Sequence, residues 1–265
     1  MKQQNLKGEW AFILGSSSGF GEACSLILAQ AGMNIFGLHL DRKATLAHVE
    51  DVIAKIKKAG SKACFMNLNA ASEETRQQVI KKMNEVLEGK KIRVLLHSLA
   101  FGTLKPFVDE DSKKSISSKQ MDMTLDVMAH SLVYWVQDLC WNKLLSKGSK
   151  IFAMTSSGGH SVWPTYGGVS AAKAALESHV RQLAFELAPK GISVNALQAG
   201  VTDTPALRKI PGHEEMIELC NKRNPGGRLT QPKDIGECLV ALTALENSWL
   251  TGNVIRVDGG EDIVG

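Results

Sequence analysis

The stretch WAFIL, residues 10–14, runs directly into Gly15-Ser16-Ser17-Ser18-Gly19-Phe20-Gly21 and then into the helix-patterned EACSLILAQAG. Five apolar residues bounded by a glycine turn read as a buried strand, and the segment behind them as an amphipathic helix. Glycines between strand and helix allow a tight turn, bring backbone close to a pyrophosphate and let the helix pack on the sheet. The helix N-terminus adds free N–H groups and positive dipole. In this setting the turn predicts a dinucleotide-binding loop, with Gly15, Ser17, Ser18, Gly19, Phe20 and Gly21 as cofactor contacts.

Outward from that loop, short apolar runs alternate with helix-period segments. Trp10–Leu14, Asn34–Leu40, Ala63–Leu68, Arg93–His97, Lys150–Met154, Ser193–Leu197 and Asn253–Val257 read as strands. Helices are expected to start near Gly19, Ala44, Ser72, Met121, Tyr166 and Pro232. Such alternation predicts right-handed βαβ crossovers, hence an α/β, Rossmann-type doubly wound sheet of seven parallel strands with helices on both faces. No linker or repeat interrupts it, so residues 1–265 are expected to form one domain with its ligands at the carboxyl ends of the strands.

The composition, 44% hydrophobic and 22% charged, excludes a disordered chain. A net charge of +4, with lysines scattered as in Lys55, Lys57 and Lys58 or Lys81 and Lys82, lacks the clustered basic and aromatic patch of a nucleic-acid binder. Five cysteines (Cys24, Cys64, Cys140, Cys220, Cys238) include no CxxC, so neither a disulfide framework nor a metal site is expected. The opening MKQQNLKGEW lacks a signal-peptide core, and no apolar run is long enough for a membrane span; a cytoplasmic protein is expected.

The spacing GxxxGxG, the segment from Tyr166 to Lys173, the strand GISVNALQAG and the closing TGNVIRVDGG occur in the order found in the short-chain dehydrogenase/reductase superfamily. The chain resembles that superfamily over essentially its whole length. The resemblance implies further cofactor contacts at His39, which occupies the position of the NAD-selecting acid, and at Asn69, Ser98, Ala100, Lys173, Gly200, Thr202 and Thr204. Val201 and Thr202 would meet the nicotinamide carboxamide through backbone, and Thr204 a phosphate. Asp41 stands two residues past His39, followed by Arg42 and Lys43. A carboxylate here binds a ribose 2′-hydroxyl and a base accepts a 2′-phosphate. With Arg42 as the contact, NADPH is expected ahead of NADH; the alternative is that Asp41 caps the next helix.

In Tyr166-Gly-Gly-Val-Ser-Ala-Ala-Lys173 the two functional residues stand seven apart, which on a helix is almost two turns, about 10 Å along the axis, on one face. Ordinary members of the superfamily carry YxxxK. Here the residue four before Lys173 is Val169, which has no proton to give. The wider spacing resembles the enoyl-acyl-carrier-protein reductases, as does His97-Ser98-Leu99-Ala100-Phe101. No asparagine occurs in Asp126–Ser131, where ordinary members carry a catalytic one. The resemblance implies hydride addition to a trans-2-enoyl thioester, carried by acyl carrier protein or coenzyme A, in fatty-acid synthesis. Tyr166 would stabilise the enolate oxygen and Lys173 the nicotinamide ribose. His97 is given no acid–base role.

Ten residues before Tyr166, where the best-known enoyl reductases place a second tyrosine, stands Ser156. Thr155-Ser156-Ser157 resembles ordinary dehydrogenases and the NADPH-using minor enoyl reductases of bacteria. Ser156 is therefore a third catalytic candidate, or a satisfied loop residue. Residues 201–228, with two Pro-Gly pairs around one helical segment, are expected to form a substrate lid. Phe101, Ser157, Trp163 and Leu207 are the candidate substrate contacts, and Arg208 with Lys209 would meet an anionic carrier. The resemblance implies homodimers or homotetramers through the helices near Met121 and Tyr166. The alternatives are a dehydrogenase or ketoreductase acting on a hydroxyl or carbonyl group, and a cofactor-binding regulator without turnover.

Overall fold

The computed structural model describes residues 5–264; Met1–Gln4 and Gly265, the ends of the expected 1–265 domain and the first four residues of the opening MKQQNLKGEW, lie outside the described residues. The strands are β1 (Trp10–Leu14), β2 (Asn34–His39), β3 (Ala63–Asn67), β4 (Ile92–His97), β5 (Lys150–Ser156), β6 (Ser193–Ala199) and β7 (Val254–Val257). They form one seven-stranded sheet in the order β3-β2-β1-β4-β5-β6-β7, all pairs parallel. The strand order reverses between β1 and β4, and the crevice at their carboxyl ends is where such sheets bind ligands.

The helices are α1 (Gly19–Gln30), α2 (Leu46–Lys58), α3 (Glu73–Val86), α4 (Ser118–Leu125), α5 (Ser131–Trp141), α6 (Gly167–Leu187), α7 (His213–Arg223) and α8 (Pro232–Thr243). The period-two alternation of β1 sends Trp10, Phe12 and Leu14 into one core and Ala11 and Ile13 into the other. The first core is closed by α3, α5 and α6 through residues such as Met83, Trp135 and Val180. The second is closed by α1, α2 and α8 through Leu28, Ile56 and Leu239. Trp135 anchors the first, its ring edge-on to Phe12 at 5.1 Å and its indole N–H donating to the Ala70 carbonyl at 2.9 Å. Truncating such a residue to alanine costs about 3–5 kcal/mol.

Boundaries differ from the expected ones where polarity and pairing part company. β5 and β6 run two residues further than expected, because Thr155 and Ser156 stay in register with Gln198 and Ala199 although they are polar or small. Leu40 and Leu68 fall just outside β2 and β3, and Arg93 is preceded in β4 by Ile92. The fourth helix begins at Ser118 and not near Met121, fixed by a capping box between its N-cap Ser117 and Gln120. A five-residue π-helix, Asp126–His130, separates α4 from α5. Among the described residues, no helix is long and apolar enough to cross a membrane.

Candidate active site

The loop after β1 fits a dinucleotide through its close approaches. Gly15 and Gly19 have left-handed backbone (φ 86 and 56), and a Cβ on Gly15 would overlap the Ser98 carbonyl, one on Gly21 the Gly15 carbonyl. Ser18 stands at the N-cap of α1 without a side-chain cap, which leaves that helix end open to an anion. Ser98 joins the loop through its N–H, donated to the Leu14 carbonyl at 2.9 Å. Thr204, from the segment after β6, lays its methyl within reach of Gly19. The loop after β1 and the segment after β6 therefore meet at that residue pair. Phe20 points instead to the α1 core.

At the end of β2 the buried His39 ring donates from Nδ1 to Asp41 at 2.9 Å, and Thr45 Oγ1 donates to the same carboxylate at 2.7 Å. Burial works to raise the Asp41 carboxyl. Hydrogen bonds from Ser17, Thr45 and His39, with the charge of His39, outweigh it and hold the group below its usual value. Asp41 thus faces the phosphate loop through Ser17, while Arg42 and Lys43 are exposed. β3 stops at Asn67, two residues before the expected contact Asn69, and the Asn67 amide brackets the Asp41 backbone at 2.8 and 3.0 Å. Asn69 lies beyond it and accepts from Ala71 N–H in a local turn.

Tyr166 stands at the N-cap of α6, one residue outside the helix on which the sequence put it. The residue before it, Thr165, is a β-branched side chain at φ 64, with its hydroxyl buried and unpaired. Backbone strain of this kind costs of order 1–3 kcal/mol and collects at functional sites. The turn aims the phenol at β5: Ser156 hydrogen-bonds the Tyr166 hydroxyl, while the Ser156 oxygen accepts from Gly158 N–H at 3.1 Å. Burial raises the Tyr166 phenol and the Ser156 bond draws it partly back. Gly158 packs so closely on the Tyr166 ring that a Cβ there would collide with it.

Lys173 is buried on α6, and its ammonium donates to the Met154 carbonyl at 2.7 Å. Burial pushes it down to about 8, with Glu177 opposing. Glu177 is held by Thr155 Oγ1 at 2.7 Å. Val169, the residue that replaces a proton donor four before Lys173, packs with Met128, Ala172 and Tyr166 in an apolar cluster.

Ser131, just past the π-helix, occupies the space where the sequence offered no asparagine. Its hydroxyl donates to the Val127 carbonyl and accepts from His97 Nε2, both at 2.8 Å. His97 is fully buried, and burial, with the nearby Lys173 charge, pushes it down to about 3. It is a neutral positioning group.

The candidate substrate residues divide. Ser157 follows Ser156 at the mouth of β5. Trp163 donates its indole N–H to the Pro211 carbonyl at 3.3 Å and so bridges the loop after β5 to the segment after β6. Phe101 is 63% exposed in the loop after β4, whereas Leu207 is buried within its own segment. Sequence reading missed Phe107, whose ring covers Gly167 beside Tyr166. It also missed Asn67, Glu177 and Ser131, which no local motif marks.

Gly200 and Thr202 close the crevice from β6. Gly200 leaves no room for a Cβ against Thr230 and Glu261, and Thr202 is buried, its hydroxyl donating to the Gly200 carbonyl at 2.9 Å. The Val201 N–H is already donated to Glu261 Oε1 at 3.0 Å. Thr204 accepts from Leu207 N–H at 3.2 Å. Ala100 is exposed above β4.

These features define a nicotinamide-dependent oxidoreductase with a displaced tyrosine. Residues 15–261 match the family described as Enoyl-(Acyl carrier protein) reductase. The chain belongs to that family, within the short-chain dehydrogenase/reductase superfamily, and is an NAD(P)H-dependent oxidoreductase. It is 28% identical over 265 residues to the NADH-dependent enoyl-acyl-carrier-protein reductase FabI of Nostoc, covering 98% of this chain and 99% of that one. It is 27% identical over 261 residues to the 1-cyclohexenylcarbonyl-CoA reductase of Streptomyces collinus, covering 96% and 87%. Among solved structures, the NADH-dependent enoyl-acyl-carrier-protein reductase of Aquifex aeolicus superposes with a TM-score of 0.83 at 25% identity, covering 99% of both chains.

Proposed function

We propose that this protein reduces the carbon–carbon double bond of a 2-enoyl thioester, with Tyr166, Ser156 and Lys173 as catalytic residues and residues 201–228 as a lid of a single domain. One observation carries the reading: Tyr166, at the start of α6, is braced by Ser156, while the position four before Lys173 is the buried Val169. A carbonyl reductase of the ordinary kind needs a tyrosine at that inner position.

A bound nicotinamide supplies the hydride. The protein's part is electrostatic and positional. As hydride reaches the β-carbon, charge develops on the thioester oxygen, and a hydrogen bond from the Tyr166 phenol stabilises it. The raised phenol stays protonated near neutrality and so remains a donor. Ser156 holds the phenol's direction. The Lys173 ammonium has one N–H fixed by Met154, and its others would hold the nicotinamide ribose. Gly15, Ser18, Gly19 and the α1 N-terminus would hold the pyrophosphate, with Thr204 and Thr202 closing from the other side. Phe101, Ser157 and Trp163 face the acyl thioester.

The cofactor best supported is NADH. Arg42 and Lys43, the residues behind the NADPH expectation, stand in solvent, whereas Asp41 points its carboxylate at the loop, where it favours a 2′-hydroxyl and repels a 2′-phosphate. The relatives named above include NADH enzymes. The reading is tested by oxidation of NADH with crotonyl-CoA beside acetoacetyl-CoA. Turnover of the enoyl substrate is expected; turnover of the keto substrate alone contradicts the proposal and favours a ketoreductase.

A further inference from the structure

The turn after β7, Asp258-Gly259-Gly260-Glu261-Asp262, reaches back over the mouth of the crevice. Gly259 and Gly260 both have left-handed backbone (φ 66 and 86), and the Asp258 carboxylate accepts the N–H groups of Gly260 at 2.9 Å and Asp262 at 3.1 Å. The reversal sends two adjacent carboxylates in opposite directions. Glu261, 5% exposed, accepts the Val201 N–H at 3.0 and 3.2 Å and is bonded by Asn224 and the Cys220 thiol, at the far end of α7. It thereby ties together the two ends of the segment that we assign as the lid. Asp262 accepts from His160 Nε2–H at 3.1 Å, from Gln198 at 2.9 Å and from Arg256 at 3.1 Å. His160 ends the short turn Ser157-Gly158-Gly159 that packs on Tyr166 and Lys173.

We propose that Glu261 and Asp262 are positioning residues that set the two walls of the crevice, Glu261 the nicotinamide side through Val201 and the lid, Asp262 the substrate side through His160. No other described segment hydrogen-bonds both walls through adjacent side chains. A carboxylate tied to several donors resists rotation more than a neutral cap would, because charge-assisted bonds are about twice as strong as neutral ones. Misplacing a wall by a fraction of an ångström weakens binding of the ligand on that side without any loss of a reacting group. The inference rests on the enoyl-reductase reading for its substrate and on geometry alone for the clasp.

The test uses Asp262→Asn, His160→Gln, Arg256→Gln and Glu261→Ala, with Glu261→Gln as the conservative replacement. Asp262→Asn and His160→Gln are expected to raise KM for crotonyl-CoA by about tenfold with kcat and NADH affinity within about twofold. Arg256→Gln, which leaves His160 paired, keeps KM unchanged. Glu261→Ala raises the NADH Kd by about tenfold, and Glu261→Gln, which still accepts the Val201 N–H, recovers most of it. Hydrogen exchange reports the same division, with protection lost over residues 157–161 in one set and 201–224 in the other. Equal effects of Arg256→Gln and Asp262→Asn, or lowered Tm with unchanged KM, Kd and exchange, overturn the clasp. If the wild type fails to reduce crotonyl-CoA, the reaction assignment falls, and NADH affinity with exchange still decides the clasp.

Discussion

The Ser156 hydroxyl hydrogen-bonds the Tyr166 phenol, across a loop whose last residue before the tyrosine, Thr165, is held in left-handed backbone. The contact converts the wide tyrosine–lysine spacing from an oddity of sequence into a site: the phenol leaves the helix line and is braced by the end of β5. Tyr166→Phe removes the donor without changing the packing of the ring. We expect kcat to fall by about a hundredfold or more while NADH Kd moves by less than about threefold. Ser156→Ala frees the phenol and removes the bond that draws its pKa down, so kcat falls by about tenfold and the alkaline limb of its pH profile moves upward. Steady-state kinetics over pH read both.

Lys173 titrates at about 8 in the free protein because it is buried. NADH affinity is expected to weaken as pH rises through that value, and Lys173→Met to abolish the break. Stability moves the other way. The unfolded chain keeps the lysine proton up to about 10.5 and the folded one releases it near 8, so the unfolded state holds more protons in that window and stability rises with pH across it. Lys150, also near 8, contributes in the same window. The variant should therefore lose part of the slope and not all of it.

His97 predicts an acid limit. Its folded value of about 3 lies below the ordinary 6.5, so the unfolded chain takes up a proton that the folded one refuses. Stability from this group is complete above 6.5 and declines as pH falls toward 3, by at most about 1.4 kcal/mol per pH unit. His97→Gln keeps a donor for Ser131 and should flatten urea unfolding midpoints between about pH 7 and about pH 4. An unchanged slope contradicts the assignment.

Cofactor choice turns on Asp41. Asp41→Ala is expected to improve NADPH relative to NADH by about tenfold or more in kcat/KM, since a repulsive carboxylate disappears and Arg42 and Lys43 remain. Equal use of the two cofactors by the wild type would contradict the NADH reading directly.

The seven strands and the glycine loop after the first could be read from the chain because their signals are local: apolar runs of strand length, and glycines between a strand and a helix. Strand ends were less readable, since Thr155 and Ser156 continue the β5 ladder without the apolar side chains that announce it. The spacing of Tyr166 and Lys173 was visible, but not that Thr165 turns the tyrosine off the helix. Asp41 read as a helix cap or a cofactor selector, and the approach of Ser17, which supports the second, comes from more than twenty residues away and leaves no local signal. Glu261 and Asp262 carried no signal, because two acids after two glycines also describe an exposed turn.

The most direct measurement follows the label from NADH deuterated at the transferable ring position into crotonyl-CoA. Deuterium is expected at the β-carbon and a solvent proton at the α-carbon of butyryl-CoA, with incorporation lost in Tyr166→Phe. Deuterium appearing only at the former carbonyl carbon of a keto substrate, with the enoyl thioester unlabelled, would contradict it.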